Sequence, residues 1–448
     1  MKIKTGDRIF FLGIGGIGMS ALARYAKNQG ALVSGYDRTA SEITDELLAE
    51  GIPVIFEDEP ELLPDQLDLV VVTPAIPTDS QLLTKVKKLD ISLLKRSQLL
   101  GALSESEFTI AIAGTHGKTS ITALTAWLLH QAGIKVTAFI GGIAKNFNSN
   151  LVLCDNPHVL IVEADEFDRS FLYLRADMAV ISAIEADHLD IYGDASLLQD
   201  AFQEFADRIP ENGFLVLQED QKLDCAAHLV RYGFSEASAV RAQNVVVTPE
   251  GQQFELVFPD DSKISAMLPL AGNHNLNNAL AAVSLAWINL VTPEMIVAGL
   301  ATFKGIKRRF DVRVNQKYFY VDDYAHHPTE INACLQAVRS LFPKKKITAI
   351  FQPHLYSRTR DFMLDFARSL EAVDELILLD IYPARERPIA EVSSEKLLHL
   401  IDLADKQLIK KEQLLEWIDQ KRPEVLVTMG AGDIDRFVKP LEKMIAQW

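Results

Sequence analysis

Between Phe108 and Ser120 the chain reads FTIAIAGTHGKTS, and this stretch restricts the possible folds more than any other. Phe108, Thr109, Ile110, Ala111, Ile112 and Ala113 are apolar or β-branched, as in a strand buried within a sheet. Gly114, Thr115, His116, Gly117, Lys118, Thr119 and Ser120 then lead into a helical pattern that runs through Leu128. A strand, a glycine-containing turn and a helix in this order make a phosphate loop. The glycines let the backbone approach an anion, the amides at the helix start point at it, and Lys118 adds a compact positive charge. Thr119 offers a hydroxyl where such loops hold Mg²⁺. The common pattern has four residues between its glycines, whereas Gly114 and Gly117 enclose only two. The reading therefore rests on the flanking strand and helix as much as on the glycines.

A chain of 448 residues is too long for one core, and three domains are expected, at 1–105, 106–305 and 306–448. Its net charge of −16 argues against a nucleic-acid or anionic-membrane surface, so anionic ligands must be met by local lysines, arginines and amides. Cys154, Cys225 and Cys334 are widely spaced, which suits neither a disulfide framework nor a zinc knuckle and fits a reducing cytoplasm. Lys2, Lys4 and Arg8 before the run Ile9 to Ala23 could pass for a signal peptide, but Gly13, Gly15, Gly16 and Gly18 would weaken its helix. No other run approaches the ~20 apolar residues of a membrane span, so no membrane insertion is expected.

In the first domain the strand Arg8 to Leu12 precedes Gly13, Gly15, Gly16, Ile17 and Gly18, and a helix is expected over Ser20 to Gln29. The next strand, Leu32 to Tyr36, ends in Asp37. Three glycines at this spacing followed by an acid form the dinucleotide fingerprint, with the acid placed for a ribose hydroxyl. An NAD-dependent oxidoreductase would use it, and so would a protein that binds a nucleotide-sugar, which also carries a diphosphate and a ribose. The strand Leu69 to Thr73 stops at Pro74, which puts Thr73 and Ala75 at a carboxyl edge where ligands bind in open α/β sheets. Simple chain reversal explains that turn equally well.

In the middle third, the strand Val159 to Val162 discharges into Glu163, Asp165, Glu166 and Asp168, and the strand Met178 to Ile184 into Glu185, Asp187, His188 and Asp190. Carboxylates at strand ends beside a phosphate loop suit Mg²⁺, and a neutral imidazole could hold a second ion. Asn273, Asn275, Asn277 and Asn278 open a helix to about Ile288, either as caps or as partners for an adenine edge. Beyond Arg308 and Arg309, four more strands end in polar runs, among them Asp322 to Glu330 and Gln352 to Arg360. The alternation makes the fold class α/β, with a Rossmann-like first domain, a central P-loop ATPase-like domain on a mainly parallel sheet, and a Rossmann-like last domain.

Taken together, Gly114-Thr115-His116-Gly117-Lys118-Thr119, Glu163-Ala164-Asp165-Glu166, Asp187-His188-Leu189-Asp190, His274-Asn275 with Asn278, Lys307-Arg308-Arg309-Phe310, Asp323-Tyr324-Ala325-His326-His327-Pro328 and Gln352-Pro353-His354 resemble the Mur ligase family. The resemblance spans nearly the whole chain. It is strongest to the alanine-adding branch, through Gly13 to Met19, the Thr-His of the phosphate loop and the run Asp322 to Glu330.

The resemblance implies an ATP-dependent ligase of the cytoplasm that joins L-alanine to the lactyl carboxylate of UDP-N-acetylmuramate through an acyl phosphate, for peptidoglycan precursors. Its cofactors would be ATP and two Mg²⁺ ions; either a monomer or a homodimer would fit. Gly15, Gly16, Ile17, Gly18, Asp37, Thr73, Ala75 and His116 would hold the UDP-sugar. The loop from Gly114 to Ser120, including His116 and Gly117, would hold ATP, with Lys118 on its terminal phosphates. Thr119 and Glu163 would bind one Mg²⁺ and His188 the other. Asn275 and Asn278 would lie near adenine, Arg309 and Asp323 would reach the nucleotide from the last domain, and His326, His354 and Arg358 would lie near the amino acid and the transferring phosphate. The amine needs a base, for which His326 or an acid of the pair Asp322 and Asp323 is the candidate.

Two departures from relatives stand out. No lysine occurs between His188 and Lys222, so the carbamylated lysine of several relatives has no counterpart. Leu355 stands where the alanine-adding branch often has Arg, and Leu cannot take a carboxylate bidentately. A murein-tripeptide recycling ligase, which uses the same UDP-sugar with a peptide amine, is the rival within the family.

Overall fold

A computed structural model of the chain describes residues 2–185, 192, 194–384 and 386–448. Two compact units emerge, one of residues 1–243, 255–266 and 277–303, the other of residues 244–254, 267–276 and 304–448.

The first unit begins with β1 (Arg8–Leu12), α1 (Ile17–Asn28), β2 (Leu32–Tyr36), α2 (Glu42–Ala49), β3 (Val54–Ile55), β4 (Leu69–Val72), α3 (Gln81–Val86), β5 (Ser92–Lys95) and α4 (Arg96–Ser104). These strands make a five-stranded sheet in the order β3-β2-β1-β4-β5, with every pair parallel. The strand order reverses at β1, which is where open α/β sheets leave a crevice beyond their carboxyl ends. The helix α1 starts at Ile17, earlier than the expected Ser20, because Gly16 already adopts the cap position with extended backbone.

A second sheet has ten strands: β6 (Thr109–Ala113), β7 (Val136–Ala144), β8 (Ser149–Val152), β9 (Val159–Glu163), β10 (Met178–Ile181), β11 (Phe214–Gln218), β12 (His228–Gly233), β13 (Val240–Thr248), β14 (Gly251–Val257) and β15 (Lys263–Leu268). Their order is β15-β14-β13-β12-β11-β10-β6-β9-β7-β8. All five residues of β6 are buried, as its composition requires, and it lies between β10 and β9, parallel to both. The two strands expected to end in acids thus flank the strand that enters the phosphate loop. β10 ends at Ile181, three residues short of the expected Ile184. The reason is that Ser182 and Ala183 leave the sheet to bond the phosphate loop: Thr115 N donates to Ala183 O at 2.8 Å, and Ser182 Oγ to His116 O.

Within this unit the five-stranded sheet and strands of the larger sheet share one apolar core, in which Met19 and Leu22 of α1 join Phe139, Leu151 and Val162. A buried polar link reinforces it: Asn150 on β8 donates through Nδ2 to Ile17 O at 2.6 Å and Ser20 Oγ at 2.9 Å, and accepts from Arg24 Nη1 at 2.7 Å. Every polar atom of that amide is therefore satisfied, as burial demands.

The second unit carries a six-stranded sheet of β16 (Asp311–Asn315), β17 (Phe319–Asp323), β18 (Ile347–Phe351), β19 (Glu375–Leu378), β20 (Lys406–Leu408) and β21 (Val425–Met429). The order is β16-β17-β21-β18-β19-β20, with β16 antiparallel to β17 and the other pairs parallel. Apolar side chains on one face of this sheet pack under the helices Pro328–Leu341 and Met363–Leu370. No described helix is long and apolar enough to cross a membrane.

Candidate functional site

In the first unit, α5 (Lys118–Gln131) starts at Gly117, whose backbone is left-handed at φ 84°. A Cβ at this glycine would stand 2.2 Å from Asn278 Oδ1, and one at Gly114 2.1 Å from Ser182 Oγ. Gly114, with φ 127° and backbone Ser182 N within 2.9 Å of that Cβ, requires glycine on steric as well as conformational grounds, and Gly117 on conformational grounds. Asn278 of the helix Asn273–Ile288 is thereby set against the phosphate loop. His116 lies beside Glu185, with Nε2 to Oε2 at 3.3 Å, and Glu185 N donates to Thr115 Oγ1 at 3.0 Å.

Lys118 Nζ donates to Gly114 O at 2.8 Å and to Glu166 Oε2 at 2.6 Å. The Glu166 side chain is 2% exposed, so the pair is largely dry, and Tyr192 OH donates to the backbone oxygen of the same residue at 2.6 Å. Burial opposes the Lys118 charge, but Glu166, Asp165 and Glu163 outweigh it and hold the ammonium above its ordinary value. Thr119 Oγ1 donates to Glu163 Oε2 at 3.2 Å, and Gly141 N donates to the other oxygen of that carboxylate. Hydroxyl and carboxylate oxygens converging beside a phosphate loop are the hard donors that Mg²⁺ takes, usually completed by phosphate and water oxygens. Among the described residues no group of three or more His, Cys, Asp or Glu side chains could hold a metal without such help. His188, expected to bind a second ion, lies outside the described residues.

At the smaller sheet, Asp37 accepts from Gly15 N at 2.9 Å and from Thr39 N at 3.2 Å, so the fingerprint acid orders the glycine loop itself. Gly16 N donates to Gly13 O at 3.2 Å, and Ile17 and Gly18 form the first turn of α1. The Thr73 methyl group covers Gly13, and Ala75 is exposed in the following turn.

The second unit gathers its own set. Asp323 accepts from Phe310 N at 2.7 Å and from Ala325 N at 2.8 Å. Burial pushes its carboxyl up to about 6, against the opposing pull of Arg309 and these two amides. Arg309 pairs with Glu330 at 3.4 Å, and its guanidinium lies 5.1 Å from the Tyr324 ring centre. The same Glu330 meets His326, whose Nδ1 is 3.1 Å from Oε2 and 3.0 Å from Tyr324 O. His326 stands edge-on to His354 at 6.2 Å, and His354 stacks on Tyr382 at 5.7 Å. Arg358 follows on the helix Tyr356–Asp361, and Asn275 is tied back by its own Nδ2 to Ala271 O at 2.7 Å. Leu355 adopts φ 70°, a strained value for a branched residue, held by Leu355 N donating to Tyr382 O at 3.0 Å.

A carboxylic acid that is harder to ionise when folded stabilises the fold only while it is protonated. The Asp323 contribution is therefore present below the ordinary carboxylate pKa and lost as pH rises through about 6, a swing on the order of 3 kcal/mol. Asp323→Asn stays neutral throughout. The unfolding midpoint of the natural protein, relative to that variant, should fall between pH 4 and pH 7 in calorimetry; a constant difference would contradict the burial of this group.

Several members of these sets were not singled out by their place in the sequence. Glu166 is one acid among four in its loop, and only the folded path of that loop beyond β9 brings it to Lys118. Ser182 reads as the last residues of a strand. Gly141 and Tyr382 carry no motif at all, and only the strand crossing and the ring stacking reveal them.

Three family descriptions match the chain in order: Mur ligase family, catalytic domain, over residues 8–107; Mur ligase middle domain over 112–286; and Mur ligase, glutamate ligase domain, over 308–432. The UDP-N-acetylmuramate–L-alanine ligase of Christiangramia forsetii is 45% identical over 443 residues, 97% of each chain. That of Flavobacterium psychrophilum is 43% identical over 448 residues, 99% of each chain. Among solved structures, the UDP-N-acetylmuramate-alanine ligase of Thermotoga maritima matches with a TM-score of 0.83 at 25% identity, covering 98% of this chain and 100% of that one. A murein peptide ligase of Psychrobacter arcticus shares the fold, with a TM-score of 0.74 at 24% identity over 99% of each chain. A phosphate loop whose lysine and threonine meet strand-end acids, matched end to end by all three family descriptions, places the chain in the Mur ligase family.

Proposed function

We propose that the protein is an ATP-dependent ligase of the cytoplasm that joins L-alanine to the lactyl carboxylate of UDP-N-acetylmuramate, releasing ADP and phosphate. The observation that carries this reading is the full-length identity of 43–45% to ligases of that name, together with the Lys118, Thr119 and Glu163 geometry. The division at 1–105, 106–305 and 306–448 belongs to the same proposal, with the UDP-sugar, ATP and amino acid assigned to the three in turn.

The chemistry proceeds in two steps. A carboxylate oxygen attacks the γ-phosphorus of ATP, the bond from that phosphorus to the β-bridging oxygen breaks, and an acyl phosphate and ADP result. The amine then attacks the acyl carbon, the tetrahedral oxyanion collapses, and phosphate leaves as a base takes the amine proton. Phosphoryl transfer asks the protein for positioning and charge neutralisation. Lys118 supplies the fixed cation, and Glu166 holds it in place. Thr119 and Glu163 are the residues that would hold a Mg²⁺ ion, which neutralises phosphate charge when bound. His326, with its Nδ1 anchored at Tyr324 O and Glu330, is oriented to accept a proton at Nε2. Asn275, Asn278, Arg309 and Asp323 are assigned to the nucleotide, and His354 and Arg358 to the amino acid and the transferring phosphate.

A second reading, ligation of a murein tripeptide, is favoured by Leu355, which cannot grip an amino-acid carboxylate as Arg does. Phosphate release measured with ATP and UDP-N-acetylmuramate, using L-alanine or tripeptide as amine, separates the two. L-alanine should support turnover; release with tripeptide alone would overturn the lead.

A further inference from the structure

Arg96 has no part in the steps above, yet it stands where two functional loops meet. It opens α4 directly after β5, at the carboxyl edge of the parallel sheet that also carries the glycine loop. Its side chain lies against the first turn of α1: a Cβ on Gly18 would come within 3.1 Å of Nη1 and 3.3 Å of Cδ. The other terminal nitrogen, Nη2, is 3.5 Å from Asp165 Oδ2, a loose ion pair whose side chains are 26% and 38% exposed. Asp165 immediately precedes Glu166, the Lys118 partner. Arg96, Ser97, Glu163, Asp165 and Ser170 line one small cleft.

The glycine loop alone is poorly equipped for a dianion. Gly15 N is committed to Asp37 and Gly16 N to Gly13 O, so two of its amides already have acceptors. A diphosphate seated at the start of α1 carries charge that the helix amides meet only in part, and a guanidinium packed on Gly18 presents a planar fork there. We propose that Arg96 binds the diphosphate of the sugar nucleotide with the nitrogen beside Gly18 while Nη2 remains on Asp165. One side chain then joins the anion on the smaller sheet to the acid loop that holds Lys118. The inference rests on reading the smaller sheet as the sugar-nucleotide site.

Calorimetric titration of the full chain with UDP, uridine and ATP tests it. Arg96→Gln should weaken UDP on the order of 30-fold, as loss of a charge-assisted contact does, and leave uridine and ATP within about twofold. Arg96→Lys keeps the charge without the fork and should recover part of the loss. Asp165→Asn removes the ion pair alone and should cost UDP far less than Arg96→Gln. Unchanged UDP binding in Arg96→Gln, equal losses for UDP and uridine, or an Asp165→Asn effect as large as that of Arg96→Gln would each overturn the proposal. If the natural protein binds ATP but neither UDP nor UDP-N-acetylmuramate, the sugar-nucleotide reading itself has failed, a result distinct from any of these.

Discussion

Replacing Lys118 with Met should lower phosphate release by on the order of a thousandfold or more at saturating substrates, because phosphoryl transfer depends on fixed charge at the terminal phosphates. The same substitution should also destabilise the protein. Its ammonium lies 2.6 Å from Glu166 Oε2, and that carboxylate is almost wholly buried. Breaking a buried pair by removing one member costs about 3–5 kcal/mol; the 17% exposure of Lys118 and the further contacts of Glu166 reduce the expected cost to about 2 kcal/mol. Adding Glu166→Gln to Lys118→Met removes the stranded charge and should restore most of the unfolding midpoint while leaving turnover abolished. The double variant therefore separates the two roles. Activity of Lys118→Met within tenfold of the natural protein would remove the basis of the proposed reaction.

Glu163→Gln is the second large effect. One carboxylate oxygen accepts from Thr119 Oγ1 and the other from Gly141 N, so a glutamine of the same shape can keep the Gly141 bond. What it loses is the negative charge offered to a divalent cation. The expected outcome is a loss of about 100-fold or more in kcat/KM with a higher magnesium concentration at half-saturation, partly reversed by excess Mg²⁺. Binding of Mn²⁺ in the presence of ADP, followed by electron paramagnetic resonance, should weaken in parallel. If magnesium dependence and Mn²⁺ binding are both unmoved, Glu163 is an anchor for Gly141 and Thr119, and the metal lies elsewhere.

Much of this arrangement is legible in the linear chain. The strand at Thr109–Ala113, the turn at Gly114–Gly117 and the helix that follows are dictated by a buried β-branched run, two glycines and a long apolar helix. The strands at Leu32–Tyr36 and Ile347–Phe351 appear with the ends that their composition sets. Errors fall where a neighbouring segment competes for the backbone. Ser182 and Ala183 fall within the run Met178 to Ile184 that reads as one strand, but their backbone and hydroxyl groups serve the phosphate loop instead.

Local composition and spacing were enough to establish an α/β chain, a phosphate loop with its lysine and threonine, and acids waiting at neighbouring strand ends, because each depends on residues close together in sequence. Tertiary structure alone decided which acid meets which donor: Glu166 takes Lys118, Glu163 takes Thr119, Asp37 takes the Gly15 amide, and Tyr382 supports His354. Those pairings follow from strand order and from the loops beyond the strand ends, which bring together side chains 22 to 48 residues apart in sequence.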